Sequence, residues 1–440
     1  MRNLRYFIRL FVAFISRFKG LLLIGVVIGV FLFIVISVVF PLLFARTTQR
    51  IGITGRFHTG TLPDFILAQI SDGLTAIDET QTVVPNIAGS WETPDKGKTW
   101  IFNLREGLLW HDGDKVDSSS IVYEFIDVVI ERPDESTISF KLKDVFTPFP
   151  AVVSRPTFKK GFIGTGEWRV SKVSLSGSFI QRLTLVDDAK NKIIYKFYPT
   201  EDRAKLAFKL GRVDTLVEIL EPSPFDKWNN VESSAVYGAD RVVTIFFNTG
   251  DKYLSDKTLR QALIYAIDKG SIDGPRAISP ISPNSWAFNP SVKDYSYDVE
   301  RAKELLEEVD EALREDLKIT LVSSPIMLPA AEKIAEYWRE IGIDINVLVS
   351  SVVPEEFQAY LTIYDIPEEP DQYAVWHSTQ IATNVSSYSS PRIDKLLEDG
   401  RAELSLGDRR EIYLDFQRFL VEDSPAAFLY HPPVYTIERK

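Results

Sequence analysis

Cysteine is absent from all 440 residues. The chain therefore has no disulfide framework, no thiolate nucleophile and no thiolate metal site. A lipid on an N-terminal cysteine is excluded for the same reason. Histidine is scarce: His58, His111, His377 and His431 are scattered, and none has a partner at metal-ligand spacing. There is no phosphate-binding Gly-x-x-x-x-Gly-Lys-Ser/Thr, no His-Glu-x-x-His and no Gly-x-Ser-x-Gly. Gly164 and Gly166 begin like a dinucleotide fingerprint, but Arg169 stands where the third glycine belongs. Neither an enzyme nor a cofactor or resident metal is expected. The acids are numerous but do not cluster into a carboxylate pair.

Charge is unevenly placed. The net charge is −11, which argues against nucleic acid as a partner. Residues 1–19 carry Arg2, Arg5, Arg9, Arg17 and Lys19 and no acid. Residues 20–44, "GLLLIGVVIGVFLFIVISVVFPLLF", carry no charge. That run is long enough to cross a hydrocarbon core of ~30 Å. The preceding positive charges predict a cytoplasmic N-terminus and an extracytoplasmic remainder. A cleaved signal peptide would have ~7–15 apolar residues and then a small-x-small site. This run is longer and lacks such a site, so an uncleaved, single-pass anchor is expected in the cell membrane. Residues 4–18 mix apolar residues with Arg; they fit an interfacial helix or a plain basic tail.

The rest alternates between strand and helix patterns. Residues 83–104 read as a hairpin around the turn "PDKG". "GLLWHDGDKV", 107–116, sets a His beside an Asp, but Asp112-Gly113 is a turn signal and no second His is near. A structural corner is the better reading than a catalytic one. After it, "DSSS" offers helix caps, and a short helix is predicted over 121–130. "RVVTIFFNT", 241–249, is a strongly apolar strand. Strand 317–324, a helix ending at Gly342 and strand 343–350 read as a βαβ unit. Two helices, 391–404 and 407–422, precede a final, mostly extended segment.

These pieces join into one pattern. Residues 70–125, with "VVPNIAGSWETPDKGKTWIFNLREGLLWHDG" at their centre, are followed in order by "GTGEW" at 164–168, "FNT" at 247–249 and "LRQALIYAID" at 259–268. "YDVERAKELL" at 297–306, "AEYWREIGIDI" at 335–345 and "YSSPRIDKLLEDGRAE" at 388–403 complete the set. The chain resembles the extracellular solute-binding proteins of ABC importers that take up peptides, the oligopeptide- and dipeptide-binding family. The likeness runs over about 50–437. It departs where Glu167-Trp168 replaces the family's Pro-Tyr, and where "ERPDESTISF" follows 121–130 at once instead of a longer helical segment.

The resemblance implies an α/β, two-lobed periplasmic-binding-protein-like fold of the class with an extra subdomain. It would follow the basic segment 1–19 and one transmembrane helix, 20–44. Lobe one would hold 45–245 and 427–440, with the subdomain at 72–159; lobe two would hold 246–426. A peptide would lie between the lobes and be enclosed by hinge closure. In the family an Asp in a loop rich in Asp, Pro and aromatics holds the ligand's ammonium; the matching segment is "EEPDQYAVWHSTQ" and the matching residue Asp371. Trp376, Trp286, Asn384 and Tyr388 lie in loops of lobe two expected to face the cleft, and His58 and Thr59 in the first loop of lobe one. Packing alone accounts equally well for each of these residues. The implied partners are a short peptide with a free N-terminus and ABC permease subunits; a monomer is expected. The same fold binding another solute, such as a nickel complex or an oligosaccharide, is the alternative. A non-transport role in sensing or envelope structure is another.

Overall fold

The computed structural model describes residues 13–21, 23–34, 47–271, 274–352 and 354–440. Four sheets organise it. The largest has seven strands, in the order Val231–Tyr237, Pro433–Arg439, Thr215–Ile219, Thr48–Thr54, Lys192–Tyr198, Phe179–Val186 and Arg169–Ser176. A second has five: Asp344–Val349, Lys318–Ser323, Ala359–Asp365, Arg241–Phe247 and Ala426–Tyr430. These two sheets are the cores of two lobes. A four-stranded sheet and a two-stranded ribbon, all between residues 75 and 142, form a subdomain beside the first lobe.

The second lobe shows how local pattern becomes layer. Strands Lys318–Ser323 and Asp344–Val349 are parallel, in register from Lys318 opposite Asp344 to Ser323 opposite Val349. A parallel pair needs a crossover, and helix Leu328–Glu340 supplies it. Its Ala331, Ile334, Ala335 and Trp338 recur at helical spacing and are buried. Trp338 is fully buried, and its indole N–H donates to the Leu263 carbonyl at 2.9 Å. Gly342, at φ +92°, then ends the helix with a backbone that β-carbon residues rarely adopt. Strand Arg241–Phe247 is buried from Val242 onward because it sits inside the sheet with both faces covered.

The chain crosses between the two large sheets at 238–240 and again at 431–432. Strands Arg241–Phe247 and Ala426–Tyr430 pair with each other inside the five-stranded sheet. The expected lobe limits at 245/246 and 426/427 therefore shift, because both apolar strands belong to the second lobe. The two crossings are tied together: His431 Nδ1–H donates to the Arg241 carbonyl at 2.7 Å. The Asp240 carbonyl accepts the Ile366 amide at 2.7 Å, which brings a third segment to the same place.

The expected helix at 121–130 is absent. Residues 121–127 are non-helical, and Val128–Asp134 is a strand paired with Thr137–Leu142. Asp117 does cap the Ser120 amide, as its position suggested. The residues beyond that cap obey a period of two instead: Ile121 is fully buried, and Tyr123 and Phe125 pack on the same core with rings stacked at 5.7 Å. The Tyr123 hydroxyl donates to the Val153 carbonyl at 2.8 Å, fixing the extended course.

At the N-terminus, no single helix among the described residues is long and apolar enough to cross a membrane. Helices over 13–21 and 23–34 meet at 53° and pass that test only as a bent pair. The expected single span 20–44 is not supported as one helix among the described residues; residues 22 and 35–44 lie outside them, as do 1–12 of the expected basic segment.

The corner "GLLWHDGDKV" and the loop "GTGEW" form one structure. Gly113, at φ +90°, closes the turn, and the Leu109 and Lys115 backbones bridge across it. The Gly164 amide donates to His111 Nδ1 at 3.2 Å, so the ring proton is on Nε2, which donates to the Gly166 carbonyl at 2.8 Å. A β-carbon on Gly164 would lie 2.1 Å from the Ile70 carbonyl oxygen. The two motifs therefore lock the subdomain corner to the first lobe. Gly164→Ala should lower the unfolding free energy by ~1–3 kcal/mol, the usual range for forced overpacking, measured by urea denaturation. A change under ~0.5 kcal/mol would contradict this account.

Candidate functional site

A cavity of about 1000 Å³ lies where the crossings, the two lobes and the subdomain meet. That is at the top of the range of ~300–1,000 Å³ typical of ligand sites. Its first wall comes from Ile53, Thr54, Phe57 and Phe65 of lobe one. Its second is the subdomain run through Phe146, Pro148 and Ala151 to Arg155. Its third is the loop after strand Ala359–Asp365, from Ile366 to Glu369 and Asp371. Glu218, Asp240 and Arg241 line it at the crossings. A branch of about 420 Å³ continues past Asp64, Phe65 and Glu368 to Asp72 and Asn86.

The lobes also touch beyond the crossings. The Thr147 amide donates to the Arg401 carbonyl at 2.8 Å, and the Trp286 amide to the Thr80 carbonyl at 3.2 Å. Arg401 lies over the Phe146 ring at 5.2 Å and the Tyr373 ring at 3.8 Å. A separate space of about 230 Å³ lies beside this contact, lined by Trp91, Trp100, Trp286 and Arg409 among others. It is too small to rival the interlobe cavity as a peptide site.

The main cavity is strongly acidic. Asp64, Glu218, Asp240, Asp365, Glu368, Glu369 and Asp371 line it, against Arg155 and Arg241. Several of these acids already have cations. Arg241 pairs with Glu218 and, at 3.2 Å, with Asp365. Arg409 pairs with Glu369, whose carboxyl burial pushes above the usual range while Arg409 opposes that shift. Arg401 holds Asp371 at 2.8 Å.

The residues expected at the site take different places. Asp371 lines the cavity, but its carboxylate accepts from Arg401 and from the Tyr373 amide at 3.1 Å. Trp376 is fully buried: its indole N–H donates to Gln372 Oε1 at 2.8 Å, and its ring packs on Phe246 and Phe428. Asn384 clasps its own loop, donating to the Tyr388 carbonyl at 2.7 Å. Tyr388 is buried too, and its hydroxyl donates to Asp423 at 2.7 Å. Burial, then Asp423, raises the pKa of that hydroxyl. Trp286 sits at the lobe contact. His58 and Thr59 are exposed, and the His58 ring packs on Phe179 at 4.3 Å, outside the cavity lining. The neighbouring Phe57 lines the cavity instead. Glu368, Asp240 and Thr54 were not anticipated. Only Glu368 lay in a segment already singled out, and no pattern distinguished it there.

A two-lobed α/β fold with an open cavity of mixed apolar and acidic lining at its crossings is the architecture of a solute-binding protein. The profile of the bacterial extracellular solute-binding proteins, family 5 Middle, matches residues 82–366, and the chain belongs to that family. The dipeptide-binding protein of Escherichia coli (strain K12) is 23% identical over 82% of this chain and 83% of its own. The structure of the oligopeptide-binding protein AppA from Bacillus subtilis in complex with a nonapeptide aligns with a TM-score of 0.69 and 20% identity. It covers 90% of this chain and 95% of that one. NikZ from Campylobacter jejuni, in complex with Ni(L-His), aligns at 0.72 and 21%, covering 89% and 94%.

The geometry gives Asp371 a structural partner in Arg401. Its side chain is 7% exposed and that of Arg401 29%. Asp371→Asn should therefore destabilise the ligand-free protein by about 2–3 kcal/mol, below the ~3–5 of a fully buried pair because Arg401 stays partly solvated. Urea denaturation without ligand measures it. A loss under ~0.5 kcal/mol would mean that the carboxylate contributes nothing to the fold.

Proposed function

We propose that this chain is the substrate-binding protein of an ABC importer and that it captures short peptides in the interlobe cavity. The observation that carries the proposal is the cavity itself, about 1000 Å³ and walled by both lobes and the subdomain. A peptide backbone needs partners for its donors and acceptors once it leaves water, and cleft backbone and bridging water supply them. Two crossings, at 238–240 and 431–432, suit a hinge, and the contact of Thr147 with Arg401 suits a closed state. The basic and apolar N-terminal segment would hold the protein to the membrane, with the lobes outside the cytoplasm. The peptide-binding relatives support the ligand class.

Thermal unfolding of the purified chain against short peptides tests this. A peptide at 100 times its dissociation constant should add ~2.7 kcal/mol of stability. Acetylation of the peptide N-terminus should remove most of that gain, because an ammonium in a dry cleft relies on a carboxylate. A nickel–histidine mixture, run in parallel, should give no shift. Failure of every peptide would overturn the proposal, and a shift with nickel–histidine alone would transfer it to a metal complex.

A further inference from the structure

The ion pairs of the main cavity leave an asymmetry. Glu218, Asp365, Glu369 and Asp371 are all matched to arginines, whereas Glu368 and Asp240 have no ion pair within 4 Å among the described residues. Glu368 stands at the junction, lining both the main cavity and its branch. Asp64 lines both as well, and the branch adds Asp72. Among the described residues the Asp72 carboxylate accepts from neutral donors, Thr165 at 2.8 Å and Asn86 at 3.2 Å. The one base there, Arg155, is largely exposed and 4.0 Å from Asp64.

We propose that the cavity selects peptides carrying a basic side chain, with the cationic end held at Glu368 and directed into the branch between Asp64 and Asp72. This rests on the peptide reading and adds the ligand's charge to it. Glu368 and Asp64 face solvent and Asp72 is half-buried, so a cation held among them keeps part of its hydration while several carboxylates attract it at once, an attraction that salt screens. Burial, then Asp64, then Asp240, pushes the Glu368 carboxyl above its ordinary range, the condition that an incoming cation relieves. A neutral side chain gains none of that relief, and an acidic one meets repulsion.

The test is isothermal titration of the full chain in detergent with Ala-Ala-Ala, Ala-Lys-Ala and Ala-Glu-Ala. Ala-Lys-Ala should bind at least about tenfold tighter than Ala-Ala-Ala, and Ala-Glu-Ala most weakly. The Lys preference should shrink as salt is raised and fall to about twofold or less in Glu368→Gln. Equal binding of the three peptides would overturn the charge selection and leave peptide capture standing. If no peptide binds, the peptide reading fails, and 1,5-diaminopentane decides the rest. Its binding to the wild type and loss in Glu368→Gln would support a cation site; no binding would overturn it.

Discussion

Everything about the cavity follows from how the chain passes between its two large sheets. It makes the passage at 238–240 and at 431–432, and the two passages are hydrogen-bonded to each other through His431 and the Arg241 carbonyl. The strands on either side, Arg241–Phe247 and Ala426–Tyr430, are apolar and pair inside the second lobe. Each lobe thus completes its own core, and only short polar segments join them. The boundary between them leaves a space lined by apolar side chains such as Phe57, Phe65 and Phe146 together with acids. Asp240 sits at the passage and both lines the space and receives the Ile366 amide on its carbonyl, which starts the loop 366–371 beside the passage.

The walls are then shaped by where the arginines go. Arg401 and Arg409 come from the C-terminal helices and reach Asp371 and Glu369 from behind, in the second lobe. Arg241 comes from the crossing and takes Glu218 and Asp365. These pairs hold a highly acidic loop in place against its own repulsion. They also set which acids remain for a ligand. Arg401 has a second duty, since its carbonyl and guanidinium meet Thr147 and Phe146 of the subdomain. One residue thus connects the acidic loop to the contact between lobes.

Much of this fold was legible in the sequence because its signals are local or ordered along the chain. The βαβ unit of 317–350, the capped and glycine-ended helices, and the turn at Asp112-Gly113 depend on near neighbours. The run of motifs from 70 to 403 identified the family. The helix expected over 121–130 failed because tertiary packing overrode its caps: Ile121, Tyr123 and Phe125 serve a subdomain core at a spacing of two. The candidate site was less legible for a similar reason. Trp376, Asn384 and Tyr388 have the chemistry of cleft residues, yet their polar atoms are satisfied by Gln372, their own loop and Asp423. Whether an acid in "EEPDQY" is free depends on arginines some 30–40 residues away in sequence, which no local pattern reports.

The most direct measurement is the distance between lobes with and without peptide. The absence of cysteine makes the chain suited to it, since labels placed at Asp144→Cys in the subdomain and Lys395→Cys in the second lobe have no competing sites. Both positions are exposed. Pulsed electron-spin distance measurement should give one narrow distribution with peptide bound and a broader, longer one without it. Identical distributions in the two states would contradict closure of the lobes around a ligand.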